Sequence, residues 1–425
     1  MQSMSAERRL LLKAGPGALL GLFNRASFAD ILEAGARDAR GPGGDGLLSA
    51  QVRLGENLIR ILAGQGKAGA DANLIVSPAS LAAILSFVDL GASQPMRAAL
   101  HRTLGYRHAA RSRADGDLKA LRTMVSALIG HSGKDGRDKD GPLALANLLA
   151  FDRSTRPRQL ALFALSGAGA DVLVDDLADA KIVERTNVWV RRKTRDLIPS
   201  ILEEAPETLG LVAVNALYFK DKWQTPFDPA RTRSEQFQLA SGKPVDAQMM
   251  HSGLQKLGFR QDDRFIATEL PYATEDFKLV VVTTKSMPAP ASDFAAVAGW
   301  LGGQDFAVKS GEIAMPKLHL TAAEELLRPL DALGLRAARQ ASDALAAFSP
   351  EPLVITRVVQ KLELRLDEDG TEAAAVTAAM TTRSLASEQP VKMIVDKPFV
   401  FALRDQKTGL ILFMGYVGNP VSHAR

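Results

Sequence analysis

Apolar side chains recur along this chain with two different periods. AQVRLGENLIRILAG (50–64) repeats them at helical spacing, and so does the second of two helices read in residues 95–130, LKALRTMVSALIG after Gly116. LAAILSFVDLGA (81–92) is an apolar helix, with Ser77 placed as its N-cap and Pro78 in its first turn. LALANLLAF (143–151) reads as a strand; a helical pattern and the strand-like ADVLVDD (170–176) follow. The strongest strand signal lies in LGLVAVNALYFKDKWQTPFD (209–228). Its alternation gives way at Leu211–Ala216 to a continuous apolar run, as expected of a central strand buried on both faces. EQFQL, VDAQMMH, LQKLGFR, FIATELPYA and KLVVVTTK are short strands between turns. GEIAMPKLHL (311–320) reads as one more strand, followed by a helix over AAEELLRPLDALGL. VVQKLELRLDEDG (358–370) is a strand, and Val391 to Phe401 with LILFMGYVGNP form a last strand set. Early helices and many later strands predict an α+β fold without internal repeats.

One stretch fits neither period. From Thr371 to Ala379 the chain reads Thr, Glu, Ala, Ala, Ala, Val, Thr, Ala, Ala, and turn formers are missing between Gly370 and Pro390. A loop this long inside a compact domain is usually functional. Positions 371, 373, 375, 377 and 379 are all small. Alternate residues of a strand share one face, so the segment is able to become a strand with a uniformly small inner face. An Ala/Thr linker or a short helix fits the same composition.

The surrounding residues narrow the choice. Glu368-Asp-Gly370-Thr371-Glu372-Ala373-Ala374-Ala375 resembles the hinge of the serpins, and MIVDKPFVFAL (393–403) resembles that family's C-terminal signature. The resemblance covers nearly all of residues 50–420 and implies a serpin-like fold: a large central mixed sheet with helices, a second smaller β region, and an exposed reactive loop. It further implies a monomeric serine protease inhibitor acting as a suicide substrate, whose cut loop inserts into the central sheet and traps the acyl-enzyme. The alternative is a non-inhibitory member acting as a binding or chaperone-like module. AKIVERTNVWVRRKTRDLIPSIL resembles the helix that crosses the front of the main sheet. Ser77, Ser80, Asn215 and Gln360 correspond to the family's gate beneath the sheet, and Trp223 to its upper end. Gln360 stands where the family commonly has histidine, so the gate has no titratable ring. Lys317 is expected to pair with Glu368. The reactive bond is Arg383–Ser384, with Ser384–Leu385 as the alternative; Arg383 suits a trypsin-like protease. Some relatives bind sulfated polysaccharides on the helix that corresponds here to Arg111, Arg113, Lys119 and Arg122, which makes weak polyanion binding an expectation.

The ends and the composition add bounds. Arg8-Arg9-Leu10-Leu11-Leu12-Lys13, a short apolar run and Ser27-Phe28-Ala29 resemble a bacterial twin-arginine export signal over residues 1–29. That predicts a periplasmic or extracellular protein, since the run is too short to span a membrane. Residues 30–48 read as a flexible tether and 49–422 as one domain. The chain has 425 residues, 46% of them hydrophobic and 24% charged, which is globular. Cysteine is absent, so there is no disulfide framework and no thiolate ligand. The net charge of +4 is too mild, and its basic residues too scattered, to point to nucleic acid. The histidines form no HExxH pair, and there is no P-loop or nucleophile elbow. No enzyme, metal or cofactor is expected.

Overall fold

The structure, a computed structural model, describes residues 46–64, 71–106, 116–123, 125, 142–207, 209–286, 288, 291–370 and 389–422, the side chains of 292–295 excepted. Two β regions organise it. One is a five-stranded mixed sheet in the order β11 (Leu318–Glu325), β12 (Ile355–Leu366), β4 (Leu211–Phe219), β2 (Leu143–Asp152), β3 (Asp171–Asp175). The other is a ten-stranded assembly built from β1 (Leu74–Val76), β15 (Ile411–Val417), β14 (Phe399–Asp405), β9 (Phe277–Thr284), β8 (Phe265–Pro271), β7 (Gln255–Gln261), β10 (Ala307–Pro316), β6 (Pro244–His251) and β5 (Arg233–Gln238), with β13 (Val391–Ile394) parallel to β10.

The continuous apolar run of β4 has its explanation in layers. Leu211, Ala213, Leu217 and Phe219 enter the main core, while Val212, Val214, Ala216 and Tyr218 enter a second cluster on the opposite face. The main core lies behind the sheet and is filled by α2 (Pro78–Asp89), every residue of which is buried. Ser77 caps this helix by accepting from the Ser80 N–H, and Pro78 sits in its first turn, where a missing N–H costs nothing. Helix α1 (Leu47–Gly64) packs Leu54, Leu58 and Leu62 into the same core. It begins inside the stretch read as a tether, because Leu47 and Leu48 lean on that core. The second cluster is covered by α5 (Lys181–Lys193), through Ile182, Trp189 and Val190, and by Ile198, Ile201 and Leu202 just beyond it. Between β2 and α5 come α4 (Gln159–Gly167) and β3; α3 (Gln94–Thr103) follows α2.

Two sequence expectations are corrected. Residues 311–320 are not one strand: the chain leaves the ten-stranded assembly at Pro316, and Leu318 opens a strand of the other sheet. Ala322–Glu325 are not helical either; they continue β11 and pair with Leu362 to Val359 of β12. The helix propensity of Ala-Ala-Glu-Glu is outweighed by the ladder that a long neighbouring strand offers. Helix begins at Leu327–Leu330, a wide turn containing Gly334 at φ 103° interrupts it, and a further helical turn follows at Arg336–Arg339.

Candidate functional site

β4 and β12 are parallel, and they pair directly with no strand between them, in unbroken register from Arg357 opposite Val212 to Glu363 opposite Tyr218. In that register Gln360 faces Asn215, and Asn215 faces Asn147 on β2. Three amide side chains therefore stand in one row under the sheet, against the first turn of α2. Gln360 Nε2 donates to Asn215 Oδ1 at 3.1 Å and to Ser80 Oγ at 3.2 Å, while Gln360 Oε1 accepts the Ser77 N–H at 3.1 Å. Ser80 Oγ donates to Asn215 Oδ1 at 2.7 Å, and Asn215 Nδ2 donates to Asn147 Oδ1 at 2.8 Å. None of the five residues is more than 3% exposed. The seam is thus crossed by a side-chain bond, and α2 is bonded to both of its sides. Buried polar groups this well connected are costly to separate one at a time.

Asn147 was not anticipated, although it is the one polar side chain in LALANLLAF. Its Nδ2 is buried without a partner among the described residues.

The upper end of the seam holds Asp367 to Gly370, the segment that resembles the family's hinge. Trp223 N and Phe227 N, just past β4, donate to the carbonyls of Asp369 and Glu368, each at 2.8 Å. The indole Nε1 of Trp223 donates to the Asp367 carbonyl at 2.9 Å, and its ring stacks on Tyr272 at 4.4 Å. Gly370 forms a β-bridge with Lys222 at φ 144°. A Cβ there would run into the Asp221 carbonyl and the Lys222 backbone, so the position requires glycine. The chain consequently leaves β12 at the mouth between the two parallel strands.

Lys317 Nζ reaches Glu368 Oε2 at 2.7 Å, and Thr232 Oγ1 donates to Glu368 Oε1 at 2.7 Å. Burial raises the Glu368 pKa, but the hydrogen bonds from Lys317 and Thr232 outweigh it and hold the carboxyl below the ordinary range. Its neighbour Asp367 goes the other way. Burial pushes that carboxyl up despite the N–H groups of Asp369 and Gly370 that it accepts. Sequence reasoning had no means to find Thr232, which lies far along the chain from both partners.

Thr371, Glu372, Ala373, Ala374 and Ala375 and the bond candidates Arg383, Ser384 and Leu385 lie outside the described residues, as do Arg111 and Arg113. Of the basic residues expected to hold a polyanion, Lys119 is exposed, and Arg122 turns its guanidinium onto the Ser86 carbonyl at 2.9 Å.

A family model described as Serpin (serine protease inhibitor) matches residues 49–420. The chain is a serpin. Glia-derived nexin of Homo sapiens is 27% identical over 366 residues, covering 82% of this chain and 88% of the nexin. Plasminogen activator inhibitor 1 of Bos taurus is 26% identical over 369 residues, covering 83% of this chain and 88% of the inhibitor. Among solved structures, thyroxine-binding globulin in complex with thyroxine superposes with a TM-score of 0.74 at 20% identity, covering 88% of this chain and 99% of the globulin. That likeness concerns the fold alone. The α+β architecture expected from the sequence is the fold these relatives share.

Two predictions follow from the geometry of this serpin's seam. Gln360→Leu removes the bond across the seam and strips the Ser77 N–H of its acceptor; it should destabilise the closed sheet by about 2–3 kcal/mol, read as a lower midpoint in thermal unfolding. Gln360→His should make that midpoint pH-dependent. A buried imidazole resists protonation, so stability falls as pH drops below about 6.5, whereas the parent should stay level there.

At the hinge, Lys317→Met should cost about 1 kcal/mol at pH 7, the lysine being partly exposed. A depressed carboxyl contributes its stability above the unfolded pKa, about 4.3, and loses it as pH falls through the lower folded value. The gap between parent and variant should therefore close in acid, which denaturation midpoints measured from pH 3 to pH 7 will test.

Proposed function

We propose that this serpin inhibits a serine protease of trypsin-like specificity as a suicide substrate, in which the protease cuts Arg383–Ser384 and the cut loop enters the β4–β12 seam. The observation that carries this reading is the direct parallel pairing of β4 with β12, with the hinge emerging at its mouth. Two parallel strands leave room for an antiparallel newcomer that pairs on both sides, and the residues following Gly370 are small at every alternate position.

The protease serine attacks the Arg383 carbonyl carbon, the bond to the Ser384 nitrogen breaks, and an ester joins Arg383 to the protease. Freed at that end, the segment after Gly370 feeds into the seam with Thr371 first. About a dozen inserted residues carry the ester roughly 40 Å. Deacylation needs oxyanion donors held in place, and dragging a protease along the sheet disturbs them. Each new backbone hydrogen bond contributes about 1 kcal/mol, so some ten of them rival the whole stability of an ordinary domain. The uncut form is then kinetically trapped. The gate of Ser77, Ser80, Asn147, Asn215 and Gln360 acts as the catch.

Two expected outcomes test the reading. Trypsin mixed with the full protein should yield an adduct that survives boiling in detergent, and Thr371→Arg should abolish the adduct while leaving cleavage intact, because a charge at the first inward position meets an apolar core. Clean cleavage of the parent by every serine protease tried would instead favour a non-inhibitory binding role. In the same digests, mass spectrometry of the released C-terminal fragment should find Ser384 at its start; a fragment beginning at Leu385 would shift the specificity to small residues. We place the action outside the cytoplasm, on the strength of the twin arginine. Replacing Arg8 and Arg9 by lysine should leave the protein in the cytoplasmic fraction of a bacterial host.

A further inference from the structure

Helix α4 turns an uncharged, apolar face to solvent. Its nine residues, QLALFALSG, hold no charged side chain, and only Leu165 is buried. Ala161 and Leu162 lean on the main core. Gln159, Leu160, Phe163, Ala164, Ser166 and Gly167 face outward and are exposed, Leu160 at 84% and Phe163 at 74%. A surface helix ordinarily carries its charges on this side. Leu160, Phe163, Ala164 and Gly167 recur at the three- and four-residue spacing that sets side chains in one stripe. Large residues fill the first half of the stripe and small ones the second. A Cβ added at Gly167 would meet nothing within 4 Å, so the small end is open space.

That order is self-complementary. A twofold axis crossing the stripe between residues 163 and 164 lays a second α4 antiparallel on the first. Leu160 then stands opposite the partner's Gly167, and Phe163 opposite the partner's Ala164. Each large side chain meets a small one on both sides of the axis. Such an isologous contact closes on itself at two copies. Charge follows the same sense. Around the face, Arg153 is paired with Asp175, Arg156 with Glu351 at 3.4 Å, and Lys193 with Asp171 at 2.7 Å. Arg158, exposed at the head of α4, has no side-chain partner among the described residues. The antiparallel arrangement brings it to the carbonyl end of the facing helix, where the helix dipole favours a cation.

We infer that α4 is the contact surface for a second copy of this chain, joined as a twofold antiparallel helix pair. The face is only ~12 Å long. That is too short to bury the roughly 1,200 Å² of a stable interface, so the dimer is a weak one, populated at on the order of 100 μM. α4 lies against β3, the strand at the edge of the five-stranded sheet and two strands away from the seam. Pairing there leaves the seam free, and it does not depend on whether the protein inhibits a protease.

The test is sedimentation velocity of the full protein from about 5 to about 500 μM, over which a monomer should give way to a dimer. Leu160→Glu with Phe163→Glu should leave it monomeric throughout, its thermal midpoint unchanged within a degree or two. Gly167→Leu separates a fitted contact from mere stickiness. It enlarges the apolar surface yet fills the space that the partner's Leu160 needs, so it should weaken the dimer at least tenfold. Arg158→Glu should weaken it about threefold at low salt. A parent that stays monomeric at about 500 μM would overturn the assignment, whether or not it cosediments with anionic lipid vesicles. So would stronger association of Gly167→Leu. A midpoint several degrees lower in the double variant would overturn it too, since the face would then be covered by the chain's own residues.

Discussion

A buried side-chain hydrogen bond, Gln360 Nε2 to Asn215 Oδ1, spans the line between β4 and β12, and the packing on both faces is arranged to hold that line. Neither residue belongs to a solvent-facing surface. Both lie against the first turn of α2, a helix buried on every side, so no water stands ready to replace a broken bond. The two strands approach one another in parallel, which is the arrangement least supported by local chain connection. What joins them is therefore ladder and side-chain bonding between segments distant in sequence. An amide row suits that purpose, since it is strong when complete and carries no proton that a change of pH removes.

The seam is also shared between two cores. Behind it, Leu362, Leu364 and Leu366 of β12 meet the main core; in front, Val359 of the same strand belongs to the cluster under α5 together with Ile198, Ile201 and Leu202. Parting the strands disturbs apolar packing on both faces at once. That gives a closed sheet a high barrier without requiring it to be the most stable arrangement of the chain. The hinge adds a local fastening: three carbonyls of Asp367, Glu368 and Asp369 are taken up by the backbone and indole of the Trp223–Phe227 segment.

Much of this was legible beforehand, and unevenly so. β4 could be read because burial on both faces leaves a continuous apolar run, and α2 because a mostly apolar helix with Ser-Pro at its start has few other homes. The gate residues and the Lys317–Glu368 pair were reachable only through family likeness. Nothing in their own spacing brings positions so far apart in the chain together. Asn147 left a trace, one amide in an apolar strand, whereas Thr232 left none, because its role depends on where a loop happens to pass. The failed helix over Ala322–Glu325 shows the limit of propensity. Alanine and glutamate favour a helix in isolation, but β12 offers an unfilled edge beside them.

The cap of α2 has one more consequence. The Ser77 N–H, at the head of a buried helix, has its hydrogen bond not from the helix but from Gln360 on the far strand of the seam. That amide proton is protected from solvent exchange only while β12 stays in place. Its neighbours deeper in α2 owe their protection to helical bonds and exchange on the schedule of global unfolding. Ser77 is thus a clock set apart from the rest of its helix. It keeps time with the parting of two strands, and it reads that motion in the resting molecule without a label and without a partner.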